Sequence, residues 1–475
     1  MKKLITVLML ISQLGFAQSK EKQVEDFLLK QMKDFKIPGM QVAVVQRGKI
    51  VFSKSLGKAY IQDNIAVDDQ SIFAINSCTK SFTGVAAMQL VEEGKLDLNA
   101  PISHYIDSLP AQWQPIKIQQ LLAHISGLPD ILRIQENTSA GAFNEAKSWQ
   151  KVMTLPMDFP TGSQFSYNQT NYVLLGKVIS KLRGKDFTQV FQEKQFDVVG
   201  MPHTVFGDSR DIIPHYAPTY SLKKAMDGQR LPEEKLTINY AEVPPSRRGG
   251  TGLNSTAEDM AKWVIALQQG KLLKKETLKT MWSPITFNNG KPTNWALGWG
   301  VNKFRPKHWA VGMTGGGRSA FLVYPDDEMA VIVLTNLQGS SPENWIEELA
   351  GFFNPEIPAS DPITLLRIEL DKRGYDKAMQ VVEEARKKDH GFKPDENELN
   401  DWAYRVMSKD KNKEALELFK LNAALYPDSW NTYDSLGEAL LRLGNKEEAK
   451  KMYQKSVELN PNNNGGKQIL ERLSK

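Results

Sequence analysis

Three residues of this chain, Ser77, Lys80 and Tyr167, have the side chains and surroundings that nucleophilic catalysis requires. Ser77 and Lys80 are three positions apart in a segment predicted to begin a helix, so they share one face with roughly 5–6 Å between their Cβ atoms. A neutral lysine amine there can take the proton of the serine hydroxyl, and a nearby tyrosine oxygen can relay it. These residue types predict a serine hydrolase that forms an acyl-enzyme.

The surroundings of Ser77 distinguish it from the other Ser-x-x-Lys tetrapeptides. Those begin at Ser19, Ser55, Ser148, Ser221 and Ser408. The chain before Ser77 is extended and apolar, and an apolar helix from Phe82 to Leu90 follows it, with Gly94 as a suitable C-terminal cap. Ser77 is therefore predicted in the first turn of a buried helix, where free backbone N–H groups can face an oxyanion. On this motif alone, a serine that only caps the helix stays an open alternative.

Length and composition limit the function classes. The 475 residues are too many for one ordinary core, so two domains, or one large domain with an appendage, are expected. A net charge of +5, without a basic run that holds aromatics, argues against nucleic-acid binding. The single cysteine, Cys78, excludes an intrachain disulfide and is expected to be a small buried hydrophobe. The six histidines lack metal-type spacing, which argues against a zinc hydrolase, and no Gly-x-Ser-x-Gly occurs, which argues against the usual Ser-His-Asp hydrolases. No metal and no cofactor are expected.

The N-terminus predicts export. Met1-Lys2-Lys3 is a short positive start, an apolar run continues to Phe16, and Ala17 followed by Gln18 forms a cleavage site. Residues 1–17 are therefore predicted to be a signal peptide, because the run is too short to span a bilayer. No later segment approaches 18 apolar residues, so the mature protein is expected to have no membrane span and to be periplasmic or secreted.

Hydrophobic periodicity predicts an α+β fold. A helix is expected at 21–36, a hairpin at 41–52, mainly helices with long loops from 77 to about 290, and a final helix at 342–353. Further strands are predicted at 296–301, 309–312, 320–324 and 329–334. Strands from both ends of the region that enclose a helical insert imply one sheet assembled from distant segments.

The last part of the chain contains a repeat. Ala415, Phe419 and Pro427 recur 34 residues later as Ala449, Tyr453 and Pro461. A degenerate earlier helix pair is expected around Gly374 and Ala378. The period and the order small–aromatic–proline resemble tetratricopeptide repeats, in which each helix hairpin buries its face against its neighbours. Residues 361–475 are therefore predicted to be an all-α repeat domain; an unrelated helical tail is the alternative.

The region 21–353 resembles the serine beta-lactamase and penicillin-binding protein superfamily, in its class C-like branch. Besides Ser77-x-x-Lys80, the resemblance rests on the segments 121–128, 165–176 and 252–263. It implies a beta-lactamase-like antiparallel sheet with a helical subdomain. That branch also holds D,D-peptidases, D-aminopeptidases and esterases.

The resemblance also implies the roles of individual residues. Ser77 would be the nucleophile, Lys80 would take or share its proton, and Tyr167 would act as relay and as general acid to the leaving group. Backbone N–H groups of Ser77 and Gly316 would form the oxyanion hole, in which one donor typically contributes about 3–4 kcal/mol to transition-state stabilisation. His124 and Asp259 are expected to be structural.

Two departures from the family pattern concern the substrate. The block usually read as Tyr-x-Asn is Tyr167-Asn168-Gln169 here, so Gln169 offers an amide on a longer arm. The motif usually read as Lys-Thr-Gly or His-Ser/Thr-Gly begins with Met313, which supplies no cation for a carboxylate. Thr314 can still donate one hydrogen bond, and Arg318 is a candidate replacement charge whose direction the sequence leaves open. Gln169, Met313, Thr314 and Arg318 are thus the predicted substrate-binding residues.

Three hypotheses remain at the level of the sequence. The first is an exported serine hydrolase acting on esters or amides, including small peptide, D-amino-acid or peptidoglycan-related substrates, with repeats that dock a protein or peptide partner. The second is a weakly or non-catalytic penicillin-binding-like sensor, suggested by Met313. The third treats the repeats as the function and the hydrolase fold as a scaffold. The intact set of Ser77, Lys80 and Tyr167 favours the first, and the methionine argues against a dedicated beta-lactamase.

Overall fold

The computed structural model describes residues 20–134, 144–222, 235–303 and 305–473, with the side chains of 302 and 303 left out. The chain divides into two compact units between Phe352 and Phe353. The predicted signal peptide, residues 1–17, lies outside the described residues. Within the described ranges, no helix has both the length and the apolar character that crossing a bilayer requires.

The first unit is built on a seven-stranded antiparallel sheet. The strands of this unit are β1 (Gly39–Gln46), β2 (Lys49–Tyr60), β3 (Ile65–Ala66), β4 (Phe73–Ala74), β5 (Val205–Phe206), β6 (Tyr220–Leu222), β7 (Leu236–Ile238), β8 (Leu253–Ser255), β9 (Gly300–Lys303), β10 (Ala310–Gly315), β11 (Ser319–Tyr324) and β12 (Met329–Thr335). The large sheet has the strand order β3-β2-β1-β12-β11-β10-β9, while β4-β8-β5 and β6-β7 form small separate sheets.

The predicted hairpin and the distant pairing are both present. Strands β1 and β2 meet at Arg47 and Gly48, whose positive φ values of 48° and 70° are those of a tight hairpin turn. Strand β1 pairs on its other side with β12, from Met40 opposite Thr335 to Gln46 opposite Met329. The two ends of the unit therefore share one sheet, as the arrangement of apolar strands predicts.

Helices of the first unit cover the sheet and form the insert between its strands. They are α1 (20–35), α2 (Thr79–Glu92), α3 (Ile118–Leu122), α4 (Glu145–Met153), α5 (Gln169–Arg183), α6 (Phe187–Phe191), α7 (Asp197–Val199), α8 (Ala257–Gln268), α9 (Lys275–Trp282) and α10 (Ile346–Gly351). A π-helical segment, Gln192–Phe196, joins α6 to α7. The final helix is shorter than the predicted span 342–353, because a 3₁₀ turn at Pro342–Asn344 precedes it.

Both faces of the central strands are buried. Every residue of β12 and nearly all of β1 are inaccessible, so helices must pack on each side. Ala43 and Val45 belong to the large apolar core shared with α2 and α8, whereas the alternate residues Val42 and Val44 face the opposite side. Helix α2 is buried along most of its surface, which agrees with its all-round apolar sequence.

One predicted strand is wrong in its extent. The segment 296–301 was expected to be extended throughout, but β9 begins only at Gly300. Gly298 has a φ of 88°, and a side chain there would meet the carbonyl oxygen of Lys80 at 2.9 Å. The chain before Gly300 is therefore bent against α2, and alternation of apolar residues does not reveal this bend.

The second unit consists of helix pairs that follow the predicted period. Its helices are α11 (Glu356–Ala359), α12 (Pro362–Arg373), α13 (Ala378–Lys388), α14 (Glu396–Met407), α15 (Asn412–Leu425), α16 (Trp430–Arg442), α17 (Lys446–Leu459) and α18 (Asn464–Leu473). From α14 to α18, each helix begins 34 residues after its equivalent in the preceding pair, and α12 and α13 form the first pair. The degenerate pair expected near Gly374 is present as α12 and α13. Gly437 is required in α16 because a Cβ there would lie 2.8 Å from the ring of Tyr453 in α17.

Candidate active site

Ser77 lies in a 3₁₀ turn, Asn76–Cys78, that leads directly into α2. The turn is closed by the Cys78 N–H, which donates to the Ile75 carbonyl at 3.1 Å, and by the Thr79 hydroxyl, which donates to the Asn76 carbonyl at 2.6 Å. Ser77 itself is partly exposed, whereas α2 behind it is buried. The serine is therefore presented at the surface from a rigid support.

The end of strand β10 lies against the turn that carries Ser77. A Cβ on Gly315 would be only 2.0 Å from the Ile75 carbonyl oxygen, so only glycine allows this approach. The Ser319 hydroxyl also donates to that carbonyl at 3.0 Å. Gly316, the next residue, is exposed and has a φ of 56°. The sheet thus brings Gly316 beside the turn of Ser77, as the predicted oxyanion hole requires.

Lys80 is fully buried in the first turn of α2. Its Nζ donates to the Gly250 carbonyl at 2.7 Å and lies 4.6 Å from the centre of the Tyr167 ring and 5.0 Å from that of Tyr172. Burial lowers the pKa of Lys80 to about 7, against the opposing effect of the Asp130 carboxylate. A substantial fraction of Lys80 is therefore neutral near neutral pH and able to accept a proton.

Tyr167 lies two residues before α5, and its ring packs over the Lys80 amine. Burial raises the pKa of the Tyr167 hydroxyl above its ordinary value, and the neighbouring Ser77 hydroxyl only partly offsets this rise. The phenol therefore keeps its proton near neutral pH. The structure brings Ser77, Lys80 and Tyr167 together, with an amine poised to accept a proton and a phenol poised to donate one.

The ring of His124 packs against the ring of Tyr167. It is fully buried with a left-handed φ of 58°, and its ring centre lies 4.5 Å from that of Tyr167 and 5.0 Å from that of Trp295. Its Nδ1 accepts the Asn168 N–H at 3.0 Å and faces the Asn171 amide at 3.2 Å. Burial and the Lys80 charge hold the pKa of His124 well below its usual range, so the ring stays neutral.

An aromatic surface continues outward from Tyr167. Tyr167 and Phe165 are 40% and 42% exposed, and Trp295 packs against both, with ring centres 5.7 and 5.6 Å away. Sequence reasoning identified Tyr167 but not the other two aromatics. Trp295 is more than 100 residues along the chain from Phe165, so no local pattern signals their contact.

The four predicted substrate-binding residues have different environments. Gln169 is buried in the first turn of α5; its Oε1 would lie 2.4 Å from a Cβ on Gly250 and has no hydrogen-bond partner among the described residues. Gln169 is thus near the carbonyl that binds Lys80. On β10, Thr314 is partly exposed, whereas Met313 is 3% exposed and belongs to the apolar core.

Arg318 is buried and hydrogen-bonded to two side chains of the protein itself. It is 4% exposed, and its guanidinium donates to Asn76 Oδ1 at 2.7 Å and to Gln338 Oε1 at 3.0 Å. Burial lowers the pKa of Arg318 to about 10, so it stays charged at neutral pH. Both hydrogen bonds join Arg318 to the protein's own amides, and its contact with a substrate stays a prediction. The described residues hold no cluster of three or more side chains suited to a metal ion.

A buried lysine, a surface serine and a protonated tyrosine on this sheet-and-helix framework define the class of a serine hydrolase. The family model described as beta-lactamase matches residues 24–349, and one described as tetratricopeptide repeat matches residues 431–463. The chain therefore belongs to the beta-lactamase family, a family of serine hydrolases, and carries tetratricopeptide repeats.

Two curated relatives show similarity in sequence. "Protein flp" of Staphylococcus aureus strain MW2 is 25% identical over 337 residues, which cover 69% of this chain and 66% of that protein. The chain thus spans just under two thirds of the length of that relative. A penicillin-binding protein of Bacillus subtilis strain 168 is 26% identical over 310 residues, which cover 62% of this chain and 67% of that protein.

Solved structures show the same fold. The octameric penicillin-binding protein homologue from Pyrococcus abyssi aligns with a TM-score of 0.59 and 23% identity, over 73% of this chain and 81% of that one. EstCE1, described as a hydrolase with promiscuous acyltransferase activity, aligns with a TM-score of 0.57 and 20% identity, over 71% of this chain and 99% of that one.

Proposed function

We propose that the protein is an exported serine hydrolase that cleaves esters or amides through an acyl-enzyme on Ser77. The observation that carries the proposal is the buried Lys80 amine, whose pKa is lowered to about 7 beside a surface serine and a protonated tyrosine. Ser77 Oγ attacks the carbonyl carbon as Lys80 takes its proton, Tyr167 protonates the departing alcohol or amine, and the proton on Lys80 then returns to Tyr167. Water attacks the acyl-enzyme as it gives a proton to Lys80, and this proton passes to Ser77 Oγ as the acid leaves.

The electrostatics of the site favour substrates without a carboxylate. Met313 supplies no charge, and Arg318 is hydrogen-bonded to Asn76 and Gln338. A beta-lactam or a D-Ala-D-Ala terminus would then lack the cation that the family usually provides. The exposed aromatic surface of Phe165 and Tyr167 instead suits an uncharged, apolar group beside the scissile bond. Small esters, and neutral amides of amino acids or peptides, are the proposed substrate class.

The repeats from about residue 361 are proposed to dock a protein or peptide, because residues 431–463 match a tetratricopeptide repeat. A second candidate function is a weakly or non-catalytic penicillin-binding-like sensor, which is favoured by a methionine at 313 where the family usually has a cation. The two are separated by turnover: a hydrolase releases product continuously, whereas a sensor gives one burst and stays acylated.

The test uses a fluorophosphonate probe, p-nitrophenyl acetate and nitrocefin with the full chain. The probe should label the peptide that contains Ser77, and Ser77→Ala should remove both labelling and esterase activity. Ser55→Ala is a matched control, because Ser55 also begins a Ser-x-x-Lys but lies in strand β2, where Ser55 and Lys58 point to opposite faces. Labelling at another residue, or full activity of the Ser77 variant, would contradict the mechanism.

A further inference from the structure

The residue before the nucleophile has an unusual backbone. Asn76 has a φ of 47°, in the left-handed region that only glycine enters freely, although asparagine tolerates it better than most residues. Such a conformation persists where the surrounding structure holds it. Here Nη2 of the buried Arg318 donates to Asn76 Oδ1 at 2.7 Å. We propose that Asn76 and Arg318 form a positioning pair that sets the oxyanion hole, an inference that rests on the proposed hydrolase function.

Arg318 determines how the Asn76 amide is oriented. A guanidinium has only donors, so it must face Oδ1, and Nδ2 lies on the other side of the amide. Gly316 is the neighbour on that side, because a Cβ built on it would be 2.7 Å from Nδ2. Nδ2 is buried and has no hydrogen-bond partner among the residues described. The Asn76 amide therefore lies beside Gly316. Its neighbours Ser77 and Gly316 carry the two backbone N–H groups proposed as oxyanion donors.

Arg318 is itself held by the sheet. Its N–H donates to the Gly315 carbonyl at 3.1 Å, and its carbonyl accepts the Thr335 N–H of β12 at 2.9 Å. Its second guanidinium nitrogen donates to Gln338 at 3.0 Å. Arg318 therefore connects the nucleophile turn, through its guanidinium, to strands β10 and β12, through its backbone. A small displacement of a catalytic group can reduce a rate about a hundredfold. Loss of this connection should therefore displace the oxyanion donors and slow acylation, with less effect on substrate binding.

The experiment compares Asn76→Gly, Arg318→Gln and the double variant in the full chain. The first removes the amide but suits the left-handed backbone; the second removes the charge and the paired donors. Acylation by p-nitrophenyl acetate should slow roughly ten- to a hundredfold, while KM changes less than about threefold. Inhibition by phenylboronic acid, whose tetrahedral adduct places an oxygen in the oxyanion hole, should weaken by a similar factor. The double variant should lose little more than either single one, since the two residues act together.

Arg183→Gln is the matched control, because the mostly buried Arg183 of the same unit pairs with Glu93 at 2.8 Å instead. It should leave acylation and boronate inhibition close to those of the unaltered protein. Arg318→Lys, which keeps a cation but loses the planar pair of donors, should recover only part of the rate. Folding of each variant is followed by circular dichroism. If Arg318→Gln fails to fold, Asn76→Gly carries the test, because glycine adopts this φ without strain.

The outcomes separate the two proposals. If the unaltered protein is not acylated at Ser77, both the hydrolase function and the positioning pair are wrong. If it is acylated and the folded Asn76→Gly variant acylates at the same rate, the pair is wrong and the hydrolase stands. Losses that multiply in the double variant would show two independent structural effects and would equally overturn the pair.

Discussion

Acidification should stop acylation by protonating Lys80, with a midpoint near pH 7. Lys80 is fully buried, and burial lowers its pKa from 10.5 to about 7. With an ordinary pKa, only about one lysine in three thousand would be neutral at pH 7. At a pKa of about 7 half of the molecules are neutral, a gain of roughly a thousandfold in the competent form. The shift corresponds to a change of about 4–5 kcal/mol in the free energy of the protonated lysine relative to the neutral one.

The assay measures the rate constant of single-turnover acylation by p-nitrophenyl acetate between about pH 5 and 9, and the release of nitrophenol reports the reaction. The logarithm of the rate constant should rise with unit slope below pH 7 and level off above it, so that the rate at pH 5 is about a hundredfold below the plateau. Asp130→Asn is a control for the direction of the shift, because the Asp130 carboxylate raises the pKa of Lys80. Removing that charge should move the midpoint to lower pH, and an asparagine oxygen can still accept the N–H groups of Leu132 and Gln169.

The free energy of unfolding should depend on pH in a different range from the acylation rate. The folded-state pKa of Lys80 is below its unfolded value, so the native state binds fewer protons between about pH 7 and 10.5. Lys80 therefore makes the free energy of unfolding rise with pH through that window, and adds no further pH dependence below it. A rate that is flat from pH 5 to 9, a midpoint above pH 9, or an alkaline shift in Asp130→Asn would each refute Lys80 as the base.

Two further predictions concern the substrate and the repeats. Met313 lies in the apolar core, so a lysine at this position must extend its amine out of the core to avoid a buried charge. If the amine reaches the carboxylate, Met313→Lys should raise the rate on nitrocefin relative to p-nitrophenyl acetate by about tenfold through a charge-assisted bond, whereas Met313→Leu, of similar volume, should not change the ratio. Equal effects on both substrates, in a variant that circular dichroism shows to be folded, would show that position 313 does not read the carboxylate. A chain truncated after Phe353 should hydrolyse p-nitrophenyl acetate at close to the full-length rate, since each repeat buries its apolar face mainly against its neighbours. It should also lose binding of any peptide partner. A folded truncated protein with greatly reduced turnover would contradict the assignment of catalysis to the first unit and of partner binding to the repeats.

Features that depend on local pattern were predictable from the sequence. The hairpin of β1 and β2 follows from short apolar runs on either side of Arg47 and Gly48, and helix α2 follows from a sequence that is apolar on nearly all sides. The repeat helices follow from a period of 34 residues, which even locates the degenerate pair α12 and α13. In each case the signal lies within a few tens of residues.

The sharing of one sheet by the two ends of the first unit was predictable, but particular side-chain contacts between distant segments were not. The direction of Arg318 is decided by Asn76, 242 positions away in the chain. The late start of β9 is decided by the approach of Gly298 to Lys80. Trp295 joins Phe165 and His124 only through the folded chain. Residue types alone leave such contacts open, because the same arginine could equally have faced solvent.

Which group of the site accepts a proton and which donates one also depends on contacts between distant segments. The spacing of Ser77 and Lys80 identifies a nucleophile and an amine, but an exposed lysine would stay protonated at pH 7 and could not act as a base. Only the enclosure of Lys80 beside the Gly250 carbonyl lowers its pKa to about 7. The same enclosure raises the pKa of Tyr167, so one group is left to accept a proton and the other to donate it. The sequence therefore names the reacting groups, and burial produced by distant segments assigns them their opposite parts in the reaction.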